Sequence, residues 1–406
     1  MSSRTKYFVV STSTCLALFL LLGSVLSKGA SQDDTLKHIG VFSDVVAHIK
    51  SEYVEEPDMK SVTLGALNGL LEAIDPFASY LNADQYKDYL KNKGVRQADV
   101  GLILSKRFGY VGVVGTVPNS PAFKAGFSTG DMIESIKGIA TRDMPLAYAS
   151  LLLQGEPGST VELSVVRMRQ PDPQVVKLTR AELSLPPIDS KMLPGEVGYI
   201  DVDALSPDHV KEVAAAVEQL QKQGARKLMV DVRNCAVGSP SDGIAVANLF
   251  LNKGRITYLE GQRVPRENFD ADPAKALTTL PVAVLTNRGT ADGAEILAAA
   301  LKDNKRAQLV GERTFGEAAV RKAITMDDGG AIILSVAKYY SPDGKAIQDS
   351  QDPGVVPQTA VAEPEPQVDY DENGEPLPEQ PDQQAQPQQK KTEDDPVVKK
   401  ALEVLK

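Results

Sequence analysis

Between Gly198 and about Val336, short apolar runs alternate with segments of helical period, and this alternation restricts the fold more than any other feature of the chain. Tyr199 to Val202 reads as a strand. Ser206-Pro207 opens a helix with proline in its first turn; Val210, Val213, Val217 and Leu220 mark one face and Gly224 ends it. Leu228 to Val232 is apolar on both sides, which suits an interior strand rather than an edge. A helix from Asp242 to Leu251, a strand from Val282 to Leu285, a helix from Asp292 to Asp303 and a strand from Ala307 to Val310 complete the series. Such an order implies a layer of parallel strands covered by helices, with functional residues on loops at the carboxyl ends of the strands.

The segments around this layer have other patterns. From Thr35 to Lys93 the period is helical, with Ile39, Phe42, Val45, Val46 and Ile49 and then Leu64, Leu67, Leu70, Leu71 and Ile74, stopped by Asp75-Pro76. From Ala98 to Arg169 the period becomes strand-like, with a short helix between Ser120 and Gly126, a longer one between Pro145 and Leu153, and a closing strand from Thr160 to Val166. At the N-terminus, Arg4 and Lys6 precede an apolar run from Phe8 to Leu26. Small residues follow at Ser27, Gly29 and Ala30, the pattern of an export signal that is either cleaved or kept as an inner-membrane anchor. Cys15 lies inside that run and Cys235 stands alone, so no disulfide is expected.

Residues 352–393 are rich in Pro, Gln and acid and are expected to be disordered, followed by a short helix over 394–406. The net charge is −10, yet eight Asp or Glu and no Lys or Arg fall between Val361 and Gln389, leaving about −2 elsewhere. No basic run offers phosphates a partner, which sets nucleic acid aside.

Two resemblances sharpen this outline. Ser120-Pro121-Ala122-Phe123-Lys124-Ala125-Gly126-Phe127-Ser128-Thr129-Gly130-Asp131-Met132-Ile133 resembles the SPAxxAGLxxGDxI stretch of PDZ domains. Such domains hold a C-terminal carboxylate on backbone amides while the peptide adds as a strand. The matching loop is Asp99-Val100-Gly101-Leu102, where Asp99 replaces the usual first glycine and is unfavourable beside a bound carboxylate. The remainder resembles the carboxyl-terminal processing (tail-specific) serine peptidases. Asp75-Pro76-Phe77-Ala78-Ser79-Tyr80-Leu81 resembles DPHSSYL, and Asp231-Val232-Arg233-Asn234 resembles DLRN. Gly311-Glu312-Arg313-Thr314-Phe315-Gly316 resembles GEKTFG, and Tyr339-Tyr340-Ser341-Pro342-Asp343-Gly344 resembles YYTPSG. The implied fold is a multi-domain α+β chain. A signal or anchor occupies 1–30, a helical region 31–97, a PDZ-like β domain 98–170 and a ClpP- or crotonase-like α/β core 171–351, ahead of the tail.

That resemblance implies a serine nucleophile and a lysine base, because a serine hydroxyl attacks well only when a neighbouring base takes its proton. The family's GSASASEI run is matched by Gly289-Thr290-Ala291-Asp292-Gly293-Ala294-Glu295-Ile296, so the serine position holds Asp292. The lysine position after Thr314-Phe315-Gly316 holds Glu317, and a supporting glutamine position holds Arg321. In the oxyanion loop Val237 and Gly238 stand where the family has paired glycines, with Gly293 as the second donor; a β-branched Val237 resists positive φ. Loss of a serine peptidase's nucleophile costs on the order of a million-fold in rate, as in subtilisin.

Four replacements for the dyad are open from the residues: the hydroxyl of Thr290, Asp292 and Glu317 as a proton-sharing carboxylate pair, the same two as metal ligands, and a Cys235–His209 pair. The bland alternative is a salt-linked cluster in which Asp292 or Glu317 is protonated or Arg321 bridges them. No cofactor and no metal are expected. The expected role is a pseudopeptidase of the periplasm or cell envelope that binds or scaffolds protein C-termini, alone, as a homo-oligomer or beside an active relative, and touches membrane only through its N-terminal segment. The rivals are a working envelope endopeptidase and a structural subunit with a silent PDZ groove.

Overall fold

The computed structural model describes residues 36–92, 98–107, 109–142, 144–167, 170–363 and 395–406. The expected signal or anchor lies outside the described residues. Among those described, no helix is long and apolar enough to cross a membrane.

The chain divides into a unit ending at Ala66 and a second unit from Leu67 to Lys406. The first contains helix α1, described over 36–52, and the opening of α2 (Met59–Glu72). Ile39, Phe42 and Val45, the apolar stripe of α1, are exposed.

In the second unit Asp75-Pro76 ends the α2 run, and its carboxylate holds the turn that follows. Asp75 Oδ1 accepts the Phe77 N–H at 3.0 Å and the Gln348 amide at 3.2 Å, while Oδ2 accepts the Ser335 N–H at 3.0 Å. The next residues form a strand, β1 (Ser79–Leu81), before α3 (Ala83–Asn92). The helical period anticipated through this stretch is therefore interrupted, because Tyr80 and Leu81 are buried in a sheet and not on a helix face.

The β domain comprises β2 (Leu102–Arg107), β3 (Tyr110–Thr116), α4 (Pro121–Lys124), β4 (Met132–Ile136), β5 (Ile139–Ala140), α5 (Leu146–Leu153), β6 (Thr160–Arg167) and β7 (Gln170–Thr179). Its strand order is β2-β3-β4-β6-β7, with β5 on β4. Ser120 caps α4 by accepting the Phe123 N–H, and Pro121 fills the first turn, where its missing N–H costs nothing. The sheet does not close at Val166 or stop at 170. β7 pairs with β6 from Thr160↔Thr179 to Arg167↔Gln170, and Ala181 bridges back to Asp99. Pro171 and Pro173 hid this strand in the sequence; β7 pairs on one side only, where proline is tolerated.

The α/β layer follows: β8 (Asp189–Leu193), β9 (Val197–Asp201), α6 (Pro207–Lys222), β10 (Lys227–Asp231), α7 (Pro240–Phe250), β11 (Arg255–Gly261), β12 (Val264–Asp270), β13 (Val282–Thr286), α8 (Gly293–Asp303), β14 (Ala307–Gly311), β15 (Ala319–Thr325), β16 (Ala331–Tyr340), β17 (Thr359–Ala360) and α9 (Pro396–Val404). One sheet has the order β17-β14-β13-β10-β9-β8, with every pair parallel except β8 with β9. Another joins β1-β16-β11-β12, with β15 on β16.

Alternation along the buried strands assigns their faces. Leu228, Val230, Val282 and Val284 pack with Val213, Val217, Leu220, Ile296 and Leu297 of the helices. Met229, Ala283, Leu285 and Val310 face the other way and are covered by Val397, Val398, Ala401 and Leu405 of α9 and the residue that follows it.

Disorder was expected from 352, but residues 352–363 are ordered. Val355 is buried and exchanges hydrogen bonds with Thr314, and Thr359–Ala360 adds to β14 as the edge strand. Backbone pairing orders this stretch despite its composition; residues 364–394 lie outside the described residues.

Candidate functional site

The loops at the carboxyl ends of β13 and β14 converge on one buried carboxylate, Glu295. Its Oε1 accepts the Thr314 hydroxyl and the Gly316 N–H at 2.7 Å. Its Oε2 accepts the Glu317 N–H at 2.7 Å and the Asp292 N–H at 3.2 Å. One oxygen thus places residues 292 and 317 side by side. Burial raises the Glu295 carboxyl to about 7 against the pull of these donors. The sequence showed Glu295 only as a fixed point for alignment; its position three residues after Asp292, on the first turn of a helix, was the available signal.

Asp292 precedes α8 with φ 49° and ψ −117°, a sharp strand-to-helix turn that L-residues rarely adopt. Its Oδ1 is buried without a hydrogen-bond partner. Burial first, then the neighbouring charges of Glu317 and Glu295, push its carboxyl up to about 8. Glu317 is also raised by burial, but Arg321 holds it, with Nη2 donating to Oε1 at 2.8 Å. The guanidinium lies 4.4 Å from the centre of the Phe77 ring, which meets Phe315 edge-on at 6.2 Å. Arg321 bridges Glu317 alone by hydrogen bond and acts on Asp292 by charge.

The oxyanion-loop equivalents are built differently from expectation. Val237 has no positive φ; the turn is made by Gly238 at φ 147°, where a Cβ would lie 2.5 Å from Leu205 Cβ. The substitution at 237 therefore carries no strain of that kind, and the Val237 carbonyl accepts the Leu205 N–H at 2.7 Å. Gly293 lets two helices meet, since a Cβ there would stand 2.4 Å from the Ser239 carbonyl oxygen.

Two of the replacement chemistries lose their residues to packing. The Thr290 hydroxyl donates to Val232 O at 2.7 Å and accepts the Asn287 N–H at 3.1 Å, so it is committed on both sides. Cys235 is fully buried in the core, its thiol pushed up by burial. His209 is buried, 4% exposed, and its Nε2 meets Pro186 O at 2.9 Å. Among the described residues no group of three or more His, Cys, Asp or Glu is arranged to hold a metal ion.

The β domain is seated on these loops. Val114 of β3 packs with Ala236 and Ala291, and Phe315 reaches its hydrophobic core. Between β2 and α5 runs a groove lined by Leu104, Leu146, Ser150, Leu151 and Gln154, and it continues past Phe77 to Glu317 and Arg321 as one cleft of about 480 Å³. The Asp99-Val100-Gly101-Leu102 loop leads into β2, and the Gln154 side chain that lines the groove hydrogen-bonds Asp99. Val100 and Leu102 are buried, and Asp99 Oδ1 accepts the Gly101 N–H at 2.8 Å. The loop expected to take a carboxylate already holds one of its own.

The comparisons agree with this architecture. Residues 196–361 match the model of Peptidase family S41, and residues 112–167 that of the PDZ domain. The chain is 33% identical over 324 residues to a carboxyl-terminal-processing protease of Synechocystis sp., covering 78% of this chain and 75% of the relative. It is 28% identical over 374 residues to a carboxy-terminal-processing protease of Bartonella bacilliformis, covering 90% and 84%. The solved photosystem II D1 C-terminal processing protease superposes with a TM-score of 0.64 at 28% identity, over 78% of this chain and 85% of that one. A PDZ domain seated on an S41 core defines the class, and the chain belongs to the carboxyl-terminal processing protease family.

Proposed function

We propose that this member of the family holds polypeptide chains without cutting them, with Asp292, Glu317 and Arg321 standing at the family's serine, lysine and supporting positions. The reading rests on one observation above all: the pocket at the end of the cleft contains a Glu317–Arg321 ion pair at 2.8 Å beside Asp292. A carboxylate already paired with a guanidinium is neither a nucleophile for a peptide carbonyl nor a base for a hydroxyl that is not there. The cleft that joins the PDZ groove to this pocket supports retention of a chain in the site. We place the protein outside the cytoplasm on the strength of the charged and apolar N-terminal run, so its partners are polypeptides of the cell envelope.

A second reading, a working endopeptidase, is favoured by the names of the relatives and by the sharp turn kept at Asp292. Incubation with unstructured casein and tail peptides separates the two. Holding without cutting predicts no cleavage by the unaltered protein and new cleavage by Asp292→Ser/Glu317→Lys/Arg321→Gln. Cleavage by the unaltered protein that Asp292→Ala abolishes would refute it.

A further inference from the structure

Two donors of the loop beside the PDZ groove are already occupied. A groove of this kind holds a terminal carboxylate on successive backbone N–H groups of its loop. In this chain Asp99 Oδ1 takes the Gly101 N–H at 2.8 Å; burial pushes the Asp99 carboxyl above the usual carboxylate range, against the pull of the Gly101 and Val100 N–H groups, the Gln154 side chain and the Arg180 charge. Asp99 is fixed there by its backbone, which pairs with Ala181 through two hydrogen bonds of 3.0 Å. The loop itself has no slack, because Gly101 sits at φ 83° with its Cβ position 2.3 Å from Ser120 Cβ.

We propose that Asp99 turns this groove from a reader of free C-termini into a reader of internal chain segments. A free C-terminus would bring a second carboxylate to the same N–H groups, and like charges placed together disfavour the wrong partner strongly. An internal segment carries a neutral peptide past that point, and its N–H can donate to the Asp99 carboxylate. The apolar side chains Leu104, Leu146 and Leu151 then take alternate residues of an added strand. The continuation of the cleft to Phe77 and Arg321 leaves room for the rest of the segment. This inference rests on the reading above that the groove holds polypeptide, and it narrows which part of a polypeptide is held.

The test is fluorescence anisotropy on the full chain, with labelled decapeptide pools of alternating apolar residues made in two forms, free acid and C-terminal carboxamide. The unaltered protein is expected to bind the carboxamide pool about tenfold more tightly or better. Asp99→Gly is expected to reverse the order, and Asp99→Asn, which keeps the shape without the charge, to bring the two forms within about threefold. A thermal melt of each variant checks that it is folded. Preference of the unaltered protein for the free acid overturns the inference, as does an unchanged ratio in folded Asp99→Gly. So does failure of the unaltered protein to bind either pool while Asp99→Gly binds the acid. Absence of binding by all three proteins instead removes the reading that the groove holds polypeptide, and the inference with it.

Discussion

Replacing Asp292 by Asn should stabilise the protein at pH 8 and change little near pH 4. The carboxyl is raised from 3.8 to about 8 in the folded chain, so over that interval the folded state binds a proton the unfolded state has released. Stability then falls as pH rises. At about 1.4 kcal/mol per tenfold change in proton affinity, Asp292 alone sets an upper bound on the order of 5 kcal/mol. Glu317 and Glu295 share the same local field and Arg321 opposes it, so a benefit of about 2–3 kcal/mol at pH 8 is the expected size. Asn keeps the side-chain volume and is among the residues that best tolerate positive φ. Urea denaturation of both proteins at half-unit steps from pH 4 to pH 8 gives the difference curve directly. Two parallel curves would refute the reasoning, since they would mean that Asp292 is solvated and ionised as in the unfolded chain.

Arg233 is 3% exposed in its side chain and pairs with Asp231 at 2.6 Å, Asp395 at 2.7 Å and Glu363 at 3.3 Å. Arg233→Met should therefore cost about 3–5 kcal/mol in denaturation and speed hydrogen exchange in α9 first. Asp75→Ala leaves the Phe77 and Ser335 N–H groups and the Gln348 amide without their acceptor, for a loss of about 2–3 kcal/mol in thermal unfolding, and should weaken peptide binding in the cleft through Phe77. Cys235, fully buried and raised by burial, should react with a thiol reagent only after unfolding; rapid labelling of the native protein would contradict the packing.

The parallel layer was legible because its strands are buried on both faces and therefore largely apolar, as in Leu228, Met229 and Val230. The PDZ helix and turn were legible because a capping serine, a proline and a glycine must stand at set places. What escaped was held by backbone pairing rather than by side-chain pattern. β7 carries two prolines and an exposed Val175, and β1 is three residues long, too short for any period to show. The residues at the candidate site could be named from the sequence, but not their bonds. The place of Glu295 three residues after Asp292 pointed to its bond with the Asp292 N–H, but nothing in the order of residues announced that the same oxygen would take the Glu317 N–H, or that Asp99 would turn its carboxylate back onto its own loop.

The two carboxylates that Arg233 receives from beyond the core, Glu363 and Asp395, bound the acidic stretch at its two ends and meet the same guanidinium nitrogen. The end of the segment after β17 and the start of α9 are thus fastened to a single point on the loop after β10. Loss of that guanidinium would undo both fastenings at once, the edge of the sheet and the helix docked beneath it.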